Sequence, residues 1–214
     1  MMKFKMQKTI TLALLSVSMV TALSACAPLI IGGAVVGSMM AIDRRTAGTQ
    51  IEDEGIELRA ASALRTTLGD RVHVNITSFN RQVLVTGEAL TALDRQQVEQ
   101  VVGRMENVRS VVNEVAVMGH TSLSQRSSDV LVTSKVKAGL VDARDLSVNA
   151  FKVVTERGTT YLMGRVTKRE ADRATEIARG TNGVLKVVRM LETLSEDELR
   201  VLQPAPKPTP KPVL

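Results

Sequence analysis

Few side chains in this sequence could act as nucleophiles, metal ligands or proton carriers. Its 214 residues include one cysteine, Cys26, and two histidines, His73 and His120. A single cysteine excludes a disulfide framework and a multi-cysteine metal site. Catalysis needs a positioned acid–base group, and two isolated histidines do not supply one. The sequence therefore predicts a protein that is not an enzyme, with no catalytic residues, no metal site and no dissociable cofactor.

The surroundings of Cys26 indicate that this thiol carries a lipid. Residues 1–25 begin with three lysines, continue with an apolar stretch at positions 10–23 and end in small side chains. This order is typical of a secretory signal, and the apolar stretch is too short for a confident membrane span. The run Leu-Ser-Ala-Cys that ends at Cys26 resembles a bacterial lipobox. That resemblance implies cleavage before Cys26, a diacylglycerol thioether on its sulfur and usually an N-acyl chain such as palmitate.

The residues after Cys26 predict where the lipid holds the protein. Several acyl chains give stable anchoring where one chain is marginal. Ala27 stands where an aspartate would retain such a protein on the inner membrane, so the resemblance implies the periplasmic side of the outer membrane. Pro28–Ile42 is apolar but too short to span a bilayer comfortably. We predict an apolar tether near the lipid surface, then a polar connector over Asp43–Gln50.

The charge of the chain does not make it a nucleic-acid-binding protein. The formal net charge is +6, but residues 1–25 contribute three lysines and no acid, so cleavage of the signal leaves +3. This charge is modest and the chain is predicted to be exported, which excludes nucleic acid as a partner. Hydrophobic residues make up 44% of the chain and aromatic residues only 2%, which predicts small cores of aliphatic side chains.

The body after residue 50 is predicted to be an internal duplication. In each half, apolar residues at helical spacing alternate with runs in which every second residue is apolar. The first half gives a helix at 54–68, a strand from Val72, a turn near Asn80, a strand at 83–87, a helix at 91–105 and a strand at 108–117. The second gives a helix at 128–141, a strand from Leu146, Val148 and Ala150 to Thr155, a turn at 156–158, a strand at 159–166, a helix at 168–179 and a strand at 184–194. Each half is an α-β-β-α-β unit.

The repeated unit resembles the BON domain, and two such units behind a lipobox resemble the dual-BON outer-membrane lipoproteins. The residues that carry the likeness are Asp43–Gln50, Val83–Gly87, Lys135-Val136 and Tyr161–Ala171. The likeness implies an α+β fold with two tandem domains, each a three-stranded mixed sheet packed with two helices. The predicted organisation is a signal at 1–25, a lipidated tether at 26–50, domains at 51–118 and 128–194, a linker at 119–127 and a Pro-rich tail at 195–214.

The resemblance also implies a function without catalysis. It implies binding of anionic phospholipid, phosphatidylglycerol or cardiolipin, in the inner leaflet of the outer membrane through the second domain. It further implies a role in outer-membrane integrity and, in some members, enrichment at the division site. The charge distribution supports the lipid site independently: residues 51–118 carry seven basic against ten acidic side chains, and residues 129–191 carry twelve against seven. Each basic side chain near an anionic membrane contributes about 1 kcal/mol.

The first helix of the second unit carries the predicted lipid contact. Its core stripe is Val132, Val136 and Leu140, which leaves the neighbouring positions on other faces. The outward positions differ from those of the first unit: Gly55, Arg59, Ala61 and Ser62 there become Leu131, Lys135, Lys137 and Ala138 here. An exposed apolar side chain flanked by lysines is what an interfacial helix uses. The predicted phospholipid-binding residues are Leu131, Ser134, Lys135, Lys137, Ala138 and Val141.

Two alternatives remain open from the sequence. Leu131 could pack against the first unit, with the nearby lysines as ordinary solvated charges. The paired domains could also form a periplasmic scaffold that docks an outer-membrane assembly or cell-wall partner. Of the remaining features, His73 is predicted as an outward structural residue on a strand, His120 as part of a flexible linker and Pro204–Pro212 as an extended spacer.

Overall fold

The computed structural model describes residues 43–119 and 121–202. The predicted signal, Cys26, the tether, His120 and the segment Pro204–Pro212 lie outside the described residues. The described residues form three apolar clusters, whose members lie between positions 56 and 191. Residues 43–202 thus contain apolar cores of their own. Within the described ranges, no helix combines the length and the apolar character needed to cross a membrane.

The described residues form two α-β-β-α-β units and a short terminal helix. The first unit contains α1 (Ala47–Leu68), β1 (Val72–Phe79), β2 (Gln82–Ala89), α2 (Ala92–Gly103), β3 (Ser110–Asn113) and β4 (Ala116–Val117). The second contains α3 (Leu123–Asp142), β5 (Phe151–Glu156), β6 (Thr159–Thr167), α4 (Lys168–Gly180) and β7 (Lys186–Leu194), and α5 (Glu196–Leu202) follows it. Short 3₁₀ turns at Gly69–Arg71 and Val148–Ala150 precede β1 and β5.

Each unit folds its strands into one mixed sheet. Strand β2 pairs antiparallel with β1 and parallel with β3 and β4. Strand β6 likewise pairs antiparallel with β5 and parallel with β7. The third strand of the first sheet is split into β3 and β4, and Val115 between them is buried in the core. The predicted α+β fold, a mixed sheet and two helices in each domain, is confirmed.

Both faces of each sheet are buried. In β2, Val83 and Val85 join the apolar cluster of the first domain's helices, whereas Leu84 between them belongs to a cluster between the two sheets. That cluster contains Phe79, Leu84, Tyr161, Met163 and Met190. A strand covered on both faces is apolar at successive positions instead of alternating, which explains the continuous run in β2. The two sheets therefore pack face to face, and the helices lie on the outside of the body.

The connector predicted at 43–50 is not a separate polar segment. Helix α1 begins at Ala47, and the Oγ1 of Thr46 accepts a hydrogen bond from the Thr49 N–H at 3.1 Å. Arg44, three residues earlier, is buried. The expected helix start at 54 is too late because the apolar periodicity begins only at Ile56, whereas a side-chain cap sets the helix start.

The linker expected at 119–127 is also shorter than predicted. Helix α3 begins at Leu123, where the Oγ of Ser122 accepts a hydrogen bond from the Gln125 N–H at 3.2 Å. The Thr121 hydroxyl donates to the carboxylate of Glu88, so the residue before the cap is held on the first domain. The serine content that suggested a flexible linker instead supplies the N-cap of a helix.

Two further boundaries differ from the sequence prediction. Val148–Ala150, predicted as the start of a strand, is a 3₁₀ turn in which the Ala150 N–H donates to the Ser147 carbonyl at 2.9 Å, and β5 begins only at Phe151. The first part of the predicted tail forms α5, whose start is held by hydrogen bonds between Ser195 and Glu198.

A buried ion pair ties the chain before α1 to the second domain. The two terminal nitrogens of Arg44 each donate to an oxygen of Glu170 at 2.7 Å. Arg44 also donates to the Arg165 carbonyl at 2.9 Å, and Arg165 returns a hydrogen bond to the Arg44 carbonyl at 3.2 Å. Glu170 additionally completes a capping box with Thr167 at the start of α4. Burial alone would raise the pKa of Glu170, but the hydrogen bonds from Arg44 and Thr167 outweigh it and hold the pKa below its usual value.

Breaking this pair should strongly destabilise the fold. We expect Arg44→Gln to lower the free energy of unfolding by about 3–5 kcal/mol, because it leaves a buried carboxylate without its partner. The measurement is urea unfolding of residues 43–214 at neutral pH. Lys168→Gln is the control, since its ion pair with Asp172 is exposed and should be worth less than about 1 kcal/mol. Equal losses in the two variants would contradict the prediction.

Candidate functional site

Helix α3 packs on the rest of its domain through a narrow buried face. Val132, Val136 and Leu140 are 5%, 0% and 0% exposed, and the helix packs on β5 and α4. Gly139 allows the close approach to α4, since a Cβ at this position would lie 2.8 Å from the Cγ2 of Ile177. The predicted core stripe is therefore buried as expected, and the opposite side of α3 faces outward from the sandwich of sheets.

All six sequence-predicted contact residues lie together on the exposed side of α3. Leu131, Ser134, Lys135, Lys137, Ala138 and Val141 are exposed. Leu131 is 62% exposed, so it does not pack against the first domain. The reason is architectural, because the apolar cluster between the two domains is formed by the facing sheets.

The exposed side of α3 holds more apolar surface than the sequence prediction included. Leu123 is 78% and Val130 is 65% exposed. At about 100° per residue these two side chains fall within the same arc of about 100° as the predicted apolar residues. We call this set the α3 stripe: Leu123, Val130, Leu131, Ala138 and Val141. Leu123 was missed because the helix was expected to begin at 128, and Ser122 before it was the available signal of an N-cap.

A lysine lies at each border of the α3 stripe. By helical geometry, Lys135 falls on one side of the stripe and Lys137 on the other. Among the residues that the structure describes, neither lysine forms an ion pair, whereas Lys152 pairs with Glu57 and Lys168 with Asp172. Lysines beside an apolar stripe can keep their charge in the headgroup region while their stems cover apolar surface. The arrangement is therefore suited to an apolar surface with anionic groups at its edge.

The equivalent helix of the first domain has a different outer face. Ile51 and Leu58 on α1 are 71% and 74% exposed, so exposed apolar residues are present there as well. Arg59, which occupies the position of Lys135, donates to Glu52 at 2.7 Å. The glutamates at 52, 54 and 57 make this face acidic. Arg65, in the last turn of α1, is exposed and forms no ion pair within the described ranges. Helix α1 therefore differs from α3 in its glutamates and not in a complete lack of unpaired positive charge.

A buried aspartate in each domain fixes the first helix to the β-hairpin. Asp129 of α3 accepts the backbone N–H groups of Arg157 and Gly158 at 2.8 and 2.9 Å. Asp53 of α1 accepts those of Asn80 and Arg81, both at 2.7 Å. All four turn residues have positive φ, the geometry of a tight hairpin turn. The turns are predicted from the sequence but the two aspartates are not, although an acid on the core side of a helix is a usable signal.

Charged groups of both domains meet around Arg157. Its Nη1 donates to the Gly87 carbonyl at 3.0 Å and to Glu88 at 3.1 Å, and it lies 3.4 Å from Glu156. Burial raises the pKa of Glu156 above its usual value. Burial would do the same to Glu88, but the Thr121 hydrogen bonds and the charge of Arg157 hold the pKa of Glu88 below its usual value.

His73 lies at the edge of this group of charges. Its Nδ1 is 3.5 Å from Glu88, and its side chain is 40% exposed. The structure thus places His73 on β1, partly exposed beside the boundary between the domains. Within the described ranges, no three histidine, cysteine or acidic side chains are grouped in a way that could hold a metal ion.

Comparison with known proteins identifies the class of this chain. Residues 52–119 and 128–195 match the BON domain. The chain belongs to the BON-domain family, and the resemblance inferred from the sequence is confirmed.

Two relatives match over most of the chain. It is 33% identical over 175 residues to the outer membrane lipoprotein DolP of Haemophilus influenzae, and the aligned region covers 80% of this chain and 90% of that protein. It is 31% identical over 152 residues to the 21 kDa hemolysin of Actinobacillus pleuropneumoniae, and this aligned region covers 70% of this chain and 78% of that protein. The chain is thus similar over most of its length to an envelope lipoprotein.

The burial of Glu156 should make stability depend on pH. Because the folded-state pKa is raised, the native state binds a proton more readily than the unfolded chain, and stability falls as pH rises through the window between the two values. We expect Glu156→Gln to melt at a higher temperature than the wild type at pH 7.5. The difference should shrink as pH is lowered towards about 4.5.

The measurement is thermal unfolding of residues 43–214 followed by circular dichroism across this pH range. Glu176→Gln on α4 removes an acid whose side chain is 71% exposed and should change the melting temperature little at any pH. A Glu156→Gln variant that melts below the wild type at pH 7.5 would show that the ionised carboxylate stabilises the fold.

Proposed function

We propose that this chain is a lipid-anchored, non-enzymatic envelope protein whose second BON domain binds anionic phospholipid through α3. The observation that carries the proposal is the α3 stripe, an exposed apolar strip bordered by two lysines without ion-pair partners among the described residues. Such a helix lies in the plane of the interface, with its apolar face at the boundary between headgroups and acyl chains.

The charge of the two domains supports the same assignment. Residues 129–191 of the second domain carry an excess of five basic side chains, and residues 51–118 of the first an excess of three acidic ones. An anionic surface therefore attracts the second domain and repels the first. The exposed leucines of the two domains are similar in number but differ in their charged neighbours, which favours lipid contact at α3 over α1.

The proposed anchor is the lipid on Cys26, with the protein on the periplasmic side of the outer membrane. The match to an outer membrane lipoprotein supports this location. Phosphatidylglycerol and cardiolipin are the proposed lipids because both carry the anionic phosphodiester that lysines recognise. Maintenance of the outer-membrane barrier and enrichment at the division site are further proposals that follow from the family resemblance.

The lipid-binding proposal is tested with vesicles. Residues 43–214 should bind vesicles that contain phosphatidylglycerol and should lose at least about tenfold in affinity on Leu131→Glu, since a buried leucine contributes about 1.5–3 kcal/mol. Leu58→Glu on α1 is the matched control, because Leu58 is 74% exposed and Leu131 62%. Binding by sedimentation should also weaken as salt is raised.

Equal effects of the two substitutions would place the lipid contact elsewhere. Absence of binding by the wild type would leave the acyl anchor as the sole lipid contact. It would favour the alternative function, a periplasmic scaffold for a protein partner.

The anchor is tested separately on the full-length chain. Cys26→Ser removes the sulfur that would form the thioether, so the protein should no longer be processed at this position and should lose its lipid mass. Mass spectrometry of the membrane fraction measures both. A Cys26→Ser chain with the same mature mass as the wild type, apart from the substituted atom, would contradict lipidation at Cys26.

A further inference from the structure

A cleft of about 530 Å³ opens between the two domains along one border of the α3 stripe. Its α3 wall includes Val130 of the stripe and Lys137 at its border. Strand β5 lines it with Val153 and Glu156, and the first domain contributes His73 and Asn75 from β1. The cleft is therefore continuous with the proposed membrane-binding surface and is incomplete without the first domain.

Glu156 is a buried carboxylate with incomplete hydrogen bonding. Its side chain is only 9% exposed. Its two side-chain contacts are both long, 3.5 Å from the Nδ2 of Asn75 and 3.4 Å from the Nη1 of Arg157. A buried carboxylate ordinarily accepts several short hydrogen bonds. A hydroxyl or ammonium donor placed in the cleft would supply the short hydrogen bond that Glu156 lacks in the protein.

The α3 wall of the same cleft carries two cations and one acid, Asp129, whose carboxylate oxygens are occupied by the N–H groups of Arg157 and Gly158. Arg126 and Lys137 both line it, and neither forms an ion pair within the described ranges. The hydroxyls of Thr133 and Ser134 lie on the same helix. The cleft thus combines cations suited to a phosphate with a buried acceptor suited to a hydrogen-bond donor. The polar end of a phospholipid carries this pair of groups, a phosphodiester and the alcohol esterified to it.

We propose that this cleft binds the headgroup of the anionic phospholipid that contacts the α3 stripe. Lys137 and Arg126 hold the phosphodiester, and Glu156 accepts a hydrogen bond from a hydroxyl of the headgroup alcohol. The proposal rests on the proposed function, because the stripe must first place the lipid at the rim of the cleft. It adds that the protein recognises the alcohol as well as the charge, and that the first domain, through Asn75, positions Glu156.

Two lipids of equal charge separate headgroup recognition from membrane attraction. Phosphatidylglycerol and phosphatidylmethanol both carry one phosphodiester, but the methyl ester has no hydroxyl to donate. Residues 43–214 should bind vesicles with phosphatidylglycerol about fivefold more tightly than vesicles with the same fraction of phosphatidylmethanol. Glu156→Met should abolish this preference, so that the two lipids bind with equal affinity. Glu176→Met, which changes the net charge equally at an exposed position, should retain the preference.

The outcomes separate this inference from the proposed function. Equal wild-type affinity for the two lipids, with binding still lost on Leu131→Glu, would overturn the cleft and leave the α3 stripe standing. A fivefold preference that persists in Glu156→Met would also overturn it. Absence of wild-type binding to either vesicle would remove both proposals.

A second variant is available if Glu156→Met unfolds at the assay temperature. Glu156→Gln keeps the shape of the side chain and one acceptor oxygen but loses the charge. It should lower the preference for phosphatidylglycerol to about twofold, because a neutral acceptor forms a weaker hydrogen bond than a carboxylate. A preference equal to that of the wild type would contradict the assignment of Glu156.

Discussion

Each sheet of this protein is covered on both faces, by its own helices on one side and by the other sheet on the opposite side. This constraint determines where function can be placed. The β2 and β6 strands are occupied by packing along nearly their whole length, so in the described part of the chain a ligand reaches the sheets at their outer strands β1 and β5. What the body presents to its surroundings is the outer side of its helices and the seam where the two domains meet. The α3 stripe lies on the outer side of the helices, and the Glu156 cleft lies at the boundary between the two domains.

The duplication has preserved the residues that the packing needs and changed those that it does not. Asp53 and Asp129 hold equivalent hairpin turns in the two domains, and the stripes of α1 and α3 that face inward are both aliphatic. On the outside, Gly55 corresponds to Leu131, and the acidic neighbours of α1 have no counterpart around Lys135. Two copies of one fold can therefore differ in role, so that one copy supports the structure and the other presents a contact surface.

Local patterns in the sequence predicted most of the fold. Apolar spacing gave the order of helices and strands, and it placed Leu131 on the outer side of α3 because helical periodicity is a local property. It failed where one polar hydrogen bond sets a boundary, as at Thr46 and Ser122. It could not identify the pair of Arg44 and Glu170, whose members are 126 residues apart. The cleft could not be predicted from the sequence for the same reason. Its walls come from both domains, and the periodicity of one helix or strand carries no information about the element that faces it.

The polar contacts of residues 43–45 also determine how the protein responds to mechanical load. Arg44 binds Glu170 and Arg165 of the second domain, whereas Arg45 binds both Asp43 and Asp53, and Asp53 belongs to α1 of the first domain. Force or torque that reaches residue 43 from the preceding chain is therefore divided between the two domains at neighbouring residues. Because α4 packs on α3, the share taken by Glu170 is applied next to the helix that carries the α3 stripe. A pull on the preceding chain would thus turn the two domains together before it separated them.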